Sequence, residues 1–279
     1  MFIVKVPGIN SFNKKSKGCE RAGSAIISML DEIYSNEQGK LIDKRLLDLE
    51  EIHVDNSNLE NANELIYRNA LEMFNSQDKV IFLGGDHSIS FSTVRAFLDY
   101  CQNASSDSYE LKEPCLLVFD AHPDSNSNSL QGFPDNRNWL KKLVEDGFPG
   151  KNILLIGVRN AYMEEREFLA KNNIRIISMS QMREDLEDTC DLIMEFCNRE
   201  NKEIYLSIDI DIIDPAYAPS TTYPEIGGLT AREFIYLIQR INNLKKLKGI
   251  DIVEINSEKD EKRDNLTVKL GAKILSELF

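Results

Sequence analysis

Short apolar runs alternate with amphipathic stretches along the whole chain. Apolar runs bounded by turn-forming residues read as strands, and stripes of period 3.6 read as helices. Strands are predicted over 2–6, 46–54, 79–83, 115–120, 152–158, 174–178, 203–209 and 248–255. Helices fill the intervals at 20–34, 59–75, 88–100, 138–146, 162–171, 181–198, 230–243 and 265–278. This alternation implies βαβ crossovers, and so an α/β fold with a parallel sheet covered by helices on both faces. The runs at 79–83, 115–119, 152–158 and 203–210 are nearly continuous in apolar residues, as central strands should be. Polar stretches at 35–44, 101–113 and 256–265 read as surface connections. The longest irregular stretch, 121–137, is rich in Asn, Ser, Asp and Pro and starts at a strand end, so it walls a site rather than linking domains. With no internal repeat, residues 1–279 read as a single domain.

Composition narrows the class. Apolar content of 42% and charged content of 28% suit a soluble globular chain. A net charge of −13 without a dense Lys/Arg cluster argues against nucleic acid or an anionic membrane as partner, and weakly favours a cationic or neutral small molecule. The five cysteines, at positions 19, 101, 115, 190 and 197, are odd in number and form no CxxC pair, which fits a reducing cytoplasm better than a disulfide scaffold. The opening run Met1–Gly8 is too short for a signal peptide and ends in Pro-Gly, so it reads as a first strand. No run approaches the ~20 apolar residues of a membrane span.

Three runs carry chemistry. Asp120-Ala121-His122-Pro123-Asp124 follows the apolar run Cys115–Phe119, so side chains 120, 122 and 124 could share one face of extended chain beyond a strand's carboxyl end. Asp209 and Asp211 are related in the same way within Ser207–Pro215, and Gly84-Gly85-Asp86-His87-Ser88 places an imidazole where a strand gives way to a helix. One strand-end aspartate is more often a cap than a ligand. Four carboxylates in one cavity, however, require cations or strongly raised pKa values. Asp214, before Pro215, reads as a structural turn residue. His53 lacks acidic company of this kind and reads as a partly buried strand residue. The Gly84–Ser88 run has neither GxGxxG nor GK[ST] and does not read as a phosphate loop. The candidate metal ligands are therefore His87, Asp120, His122, Asp124, Asp209 and Asp211. Four carboxylates with two imidazoles form an oxygen-rich set that favours Mn²⁺ over Zn²⁺. Two such ions ~3.5–4 Å apart lower the pKa of a shared water, which points to a hydrolase.

The motifs GGDHS at 84–88, DAHPD at 120–124 and SIDIDIIDPAYAP at 207–219 strongly resemble the ureohydrolases: arginase, agmatinase, guanidinobutyrase and formimidoylglutamase. Gly227–Glu233 and Asp251–Asn256 resemble that family's C-terminal part. The resemblance implies a three-layer α/β/α sandwich with a mainly parallel sheet, two Mn²⁺ per subunit, and a trimeric or hexameric homo-oligomer. His87, Asp120, Asp124 and Asp209 would hold one ion, and Asp120, His122, Asp209 and Asp211 the other, with Asp120 and Asp209 bridging. Hydroxide would attack a guanidino carbon to give urea and an amine, with Asp124 orienting it and passing on its proton. Glu254 would accept the guanidinium, as a planar cation requires.

The sequence also departs from the family. The loop after DAHPD reads Ser129-Leu130-Gln131-Gly132 where a proton-shuttling histidine is usual, and Gln131 cannot titrate. Tyr223 stands where a small hydroxyl usually faces substrate, and Ser257 where Pro is usual. Asn126 matches a position that reads the amino-acid end of arginine in arginase. These departures point to a substrate other than arginine or agmatine, or to a weaker catalyst. A formimidoylglutamase-like reaction releasing formamide is an alternative, with Arg137 as a candidate reader of carboxylates. A metal-binding protein with weak or lost catalysis is another. A zinc deacetylase of related fold would need one Asp-His-Asp set preceded by paired histidines, which a chain with three histidines does not offer.

Overall fold

The computed structural model describes residues 1–107, 112–128, 132–198 and 202–279. Its centre is an eight-stranded sheet formed by β1 (Phe2–Val6), β2 (Asp48–Glu51), β3 (Val80–Gly84), β4 (Glu113–Phe119), β5 (Ile153–Val158), β6 (Arg175–Ser178), β7 (Lys202–Asp209) and β8 (Leu247–Val253). The order across the sheet is β2-β1-β3-β8-β7-β4-β5-β6, and every pairing within it is parallel. The two last strands in sequence are thus inserted between β3 and β4, so the carboxyl ends of β3, β8, β7 and β4 lie side by side. In an open α/β sheet that crevice is where ligands bind.

Period two explains the layers. In β4, Cys115, Leu117 and Phe119 enter one hydrophobic core while Leu116 and Val118 enter the other, and Ile81 and Leu83 alternate with Val80 and Phe82 in β3. On one face lie α2 (Leu59–Ser76), α3 (Ile89–Asp107), α4 (Trp139–Glu145) and α5 (Met163–Lys171). The other face carries α1 (Ala22–Met29), α6 (Met179–Glu184), α7 (Leu186–Cys197), α8 (Ala231–Ile241) and α10 (Leu266–Glu277). The short α9 (Ser257–Asp260) follows β8. Each fully buried Ile, Leu or Phe contributes roughly 1.5–3 kcal/mol, which makes the sheet a stiff base for whatever its strand ends carry.

Several expectations change in detail. The strand predicted over 46–54 is confined to Asp48–Glu51 at the sheet edge, so His53 lies beyond it. Its imidazole is exposed rather than partly buried and faces Glu51 at 3.3 Å. The helix predicted over 181–198 is two helices: Asp185 takes extended backbone, and its carboxylate accepts the Asp188 N–H at 2.9 Å, starting a new helix. The helix over 88–100 continues to Asp107, into the predicted connection. All five cysteines are buried free thiols, and no helix among the described residues is long and apolar enough to cross a membrane.

One glycine sets how closely the strand ends approach the first loop. A Cβ on Gly85 would lie 1.9 Å from the Gly8 carbonyl oxygen, and the Gly85 carbonyl accepts the Glu254 N–H at 2.9 Å. Gly85→Ala should therefore destabilise the protein by at least roughly 1–3 kcal/mol, the usual cost of overpacking. Urea unfolding will show the midpoint lowered at an unchanged slope; an unchanged midpoint would mean the Gly8 loop yields freely.

Candidate metal centre and active site

Six candidate ligands converge in the crevice, but regular alternation does not bring them there. β4 ends at Phe119, and the chain from Asp120 to Asp124 is irregular, with Asp124 at φ 45°. The aspartate reaches the site because the backbone turns through the left-handed region, where Asp is tolerated better than most residues. β7 ends at Asp209, and Asp211 lies in a 3₁₀ turn over Ile210–Ile212. Asp209 Oδ1 caps that turn by accepting the Asp211 N–H at 2.8 Å, which draws the two carboxylates together. The expectation of shared extended faces was thus wrong in mechanism, although the side chains do meet.

His87 Nδ1 lies 3.2 Å from Asp120 Oδ2, 3.0 Å from Asp124 Oδ2 and 3.3 Å from Asp209 Oδ2, yet hydrogen-bonds to none of them. Asp120 Oδ2 is likewise buried without a partner. His122 Nδ1 lies 2.9 Å from Asp211 Oδ2 and 3.6 Å from Asp120 Oδ1. Two sets of ligand atoms result, His87-Asp120-Asp209 and Asp120-His122-Asp211, each within 4.8 Å of one another and sharing Asp120. Orphaned buried atoms of opposite character, crowded without hydrogen-bond geometry, fit a metal between them.

The outer contacts orient these candidate ligand atoms. Ser207 accepts from His87 Nε2 at 3.0 Å and donates its hydroxyl proton to Asp251 Oδ1 at 2.7 Å. The neutral His87 ring then carries its proton on Nε2 and turns a Nδ1 lone pair into the site, as a metal-binding imidazole needs. Asp251, buried in β8, also accepts from Ser90 and Tyr205, each at 2.8 Å. Trp139 donates its indole N–H to Asp124 Oδ2 at 2.9 Å and packs its ring 4.7 Å from that of His87. The Ala121 N–H donates to Asp211 Oδ1 at 2.9 Å, and Arg159 donates to the carbonyls of Asp211 and Glu225 at 2.6 and 2.7 Å.

Glu254 stands at φ 66°, which turns its carboxylate back over the site. Its Oε1 accepts from the His87 N–H at 2.9 Å and from Asn136 Nδ2 at 3.0 Å, while its buried Oε2 has no hydrogen-bond partner. Burial and the nearby Asp86 push its carboxyl up to about 7. A cavity of about 200 Å³ opens between these groups, walled by His122, Asp124, Asp209, Asp211 and Glu254 and by Asn126, Arg137 and Tyr223. The structure thus brings Asn126 and Tyr223 to the cavity with Glu254 and four of the six candidate ligands, while His87 and Asp120 are buried and do not line it; Gln131 lies outside the described residues. Asp214 accepts backbone N–H groups from Ala216 and Gly227, the turn role expected of it.

Sequence reasoning missed Trp139, Ser207, Asp251 and Asn136. Asp251 did leave a signal: a lone carboxylate among Ile250, Ile252 and Val253 must find buried donors. Trp139 and Asn136 left none: the first opens α4, the second lies in the loop before it, and the path of that loop decides where both point.

A family model described as the arginase family matches residues 2–279. Arginase, non-hepatic 3 of Xenopus laevis is 32% identical over 63% of this chain and 51% of its own, so the match spans about half of that relative. Among solved structures, formimidoylglutamase from Bacillus subtilis superposes with a TM-score of 0.85 at 25% identity, covering 99% of this chain and 84% of the other. Agmatine ureohydrolase of Thermoplasma volcanium gives 0.80 at 26% identity, over 99% and 87%.

The crowding of charge has a consequence for stability. Burial and neighbouring carboxylates hold the carboxyls of Asp124, Asp209 and Asp211 above their usual range. Against the cost of burial, surrounding carboxylates raise His87 well above the usual imidazole range and His122 to about 12. Asp120 alone moves down, held by His122 and His87 against its burial. Groups raised on folding leave the folded chain with more bound protons than the unfolded chain, so their stabilisation is lost as pH rises through the folded values. Chelator-stripped protein should therefore melt at a lower temperature at pH about 8 than at pH about 5.5, between the ordinary carboxylate and raised histidine ranges. Because ligands must shed protons to bind, an added divalent metal should raise the melting temperature more at pH 8. A metal-free melting temperature that rises with pH would contradict this balance.

Proposed function

The chain belongs to the arginase family, and we propose that it is a binuclear manganese-dependent hydrolase cleaving a linear C–N bond of a guanidino compound to urea and an amine. The observation that carries this reading is the pair of ligand sets sharing Asp120, with His87 Nδ1 left unpartnered among three carboxylates. His87, Asp120, Asp124 and Asp209 would hold one ion, and Asp120, His122, Asp209 and Asp211 the other. Mn²⁺ suits four carboxylates and two imidazoles better than Zn²⁺ does. When bound, such a pair lowers the pKa of water and polarises the substrate.

The chain's own residues supply the rest. Glu254 Oε1 is occupied by His87 N–H and Asn136, which leaves Oε2 to accept an N–H of the planar cation and fix its carbon over the ligands. Asp124 has one oxygen steadied by Trp139, so its carboxylate can take a proton from the attacking water and hand it to the departing nitrogen. Ser207 and Asp251 keep the His87 proton on Nε2, away from the site. A formimidoylglutamase-like reaction releasing formamide would use the same groups, and one observation favours it: Arg137 lines the cavity.

Protein reconstituted with Mn²⁺ should contain two ions per chain, and Asp120→Ala or Asp209→Ala should lose both. One tightly held zinc would overturn the binuclear reading. Urea or formamide release should appear within a panel of arginine, agmatine, guanidinobutyrate, guanidinopropionate and formimidoylglutamate. Glu254→Gln should keep both metals yet lower kcat/KM by roughly 10²-fold, in line with a lost charge-assisted hydrogen bond. An unchanged rate would remove Glu254 from substrate binding.

A further inference from the structure

The cavity beside the candidate ligands is walled mainly by acids and neutral amides, and Arg137 is the exception. It is the one Lys or Arg among the described residues lining that space. Its backbone is fixed on both sides: its carbonyl accepts the Asn126 N–H at 2.9 Å, and its own N–H donates to Asp135 Oδ1 at 2.9 Å. The side chain, by contrast, is far from saturated. Nε is buried without a partner, and Nη2 reaches Asp135 Oδ2 only at 3.4 Å. A guanidinium offers five N–H donors in a planar fork, so most of this fork is uncommitted.

The other acid at this end of the cavity does not complete it. Glu165 accepts the Ser125 N–H at 3.1 Å on one oxygen and the Tyr162 N–H at 3.0 Å on the other, as the cap of α5. Asn136 and Arg137 are consecutive: the first supports Glu254, and the second presents a positive fork to the same cavity. One dipeptide thus braces an acceptor for cations and supplies a donor for anions.

Resting on the hydrolase reading above, we infer that Arg137 receives a carboxylate of the substrate, so that the substrate class is a guanidino or formimino carboxylic acid. The cationic head lies toward Glu254 and the anionic group on Arg137. Arg suits this role because its fork matches both oxygens of a carboxylate. A substrate ending in an ammonium group would instead meet like charge and be rejected.

Two probes with the same four-carbon chain test this, 4-guanidinobutyrate and agmatine. Mn²⁺-loaded wild type, Arg137→Met, Arg137→Lys and Arg137→Glu are compared by product release and by calorimetric binding. Wild type should favour 4-guanidinobutyrate in kcat/KM by roughly 10- to 100-fold, the range of a charge-assisted hydrogen bond. Arg137→Met should collapse the ratio chiefly through KM, and Arg137→Glu should invert it toward agmatine. Arg137→Lys should keep part of the preference, which separates lost charge from misfolding. A wild type that binds both compounds equally, or a ratio unmoved in Arg137→Met, would overturn the assignment. Absence of product with the binding preference intact would overturn the hydrolase reading and leave Arg137 in its role.

Discussion

Four aspartates, Asp120, Asp124, Asp209 and Asp211, are buried around two imidazoles, and the cost of that burial shapes the strand ends and contacts around them. Removing a charge from water costs several kcal/mol even after relaxation, and like charges within a few ångströms add to that cost. The hydrogen bonds from Ala121, the backbone of His122 and Asp211, and Trp139 return part of it. They leave His87 Nδ1 and Asp120 Oδ2 unsatisfied at the centre. An arrangement so costly in isolation makes sense where divalent cations supply the missing charge.

The sheet exists in a form that can bear this cost. Its order places the ends of β3, β8, β7 and β4 together, and both faces of those strands are packed with Ile, Leu, Val and Phe. Polar contacts then run inward from the site rather than outward to water. His87 rests on Ser207, Ser207 on Asp251, and Asp251 on Ser90 and Tyr205 in the core. His87, fully buried, is thereby tied to the packed core, which fixes the orientation of its ring. The rest of the cavity wall comes from the irregular chain: Asn136, Arg137 and Tyr223 are set by loops, and Asn13 bridges two of them, donating to Asn136 at 2.9 Å and to Tyr223 at 3.4 Å.

Most of this was legible in the sequence, for physical reasons. Continuous apolar runs such as Cys115–Phe119 and Ile204–Leu206 are too short for helices and read as strands buried on both faces, which places the acidic residues following them at strand ends. The convergence of these side chains was legible because charge so concentrated has few stable explanations. The route by which the ligands meet was not, since the φ of 45° at Asp124 and the 3₁₀ turn carrying Asp211 are local choices that periodicity does not encode. Asp185 escaped notice for the same reason, a capping side chain interrupting an otherwise helical stripe. The positive charge of the cavity was visible only as a candidate, because Arg137 gains its meaning from what Glu165 and Asp135 leave unfilled.

The binuclear proposal places two cations among these six side chains, with Asp120 shared between them. Diffraction from crystals grown with Mn²⁺, recorded at the manganese absorption edge, addresses it most directly. Two anomalous peaks ~3.5–4 Å apart, one beside His87 and Asp124, the other beside His122 and Asp211, with Asp120 between them, are the predicted result. A single peak, or peaks away from Asp120, would contradict it.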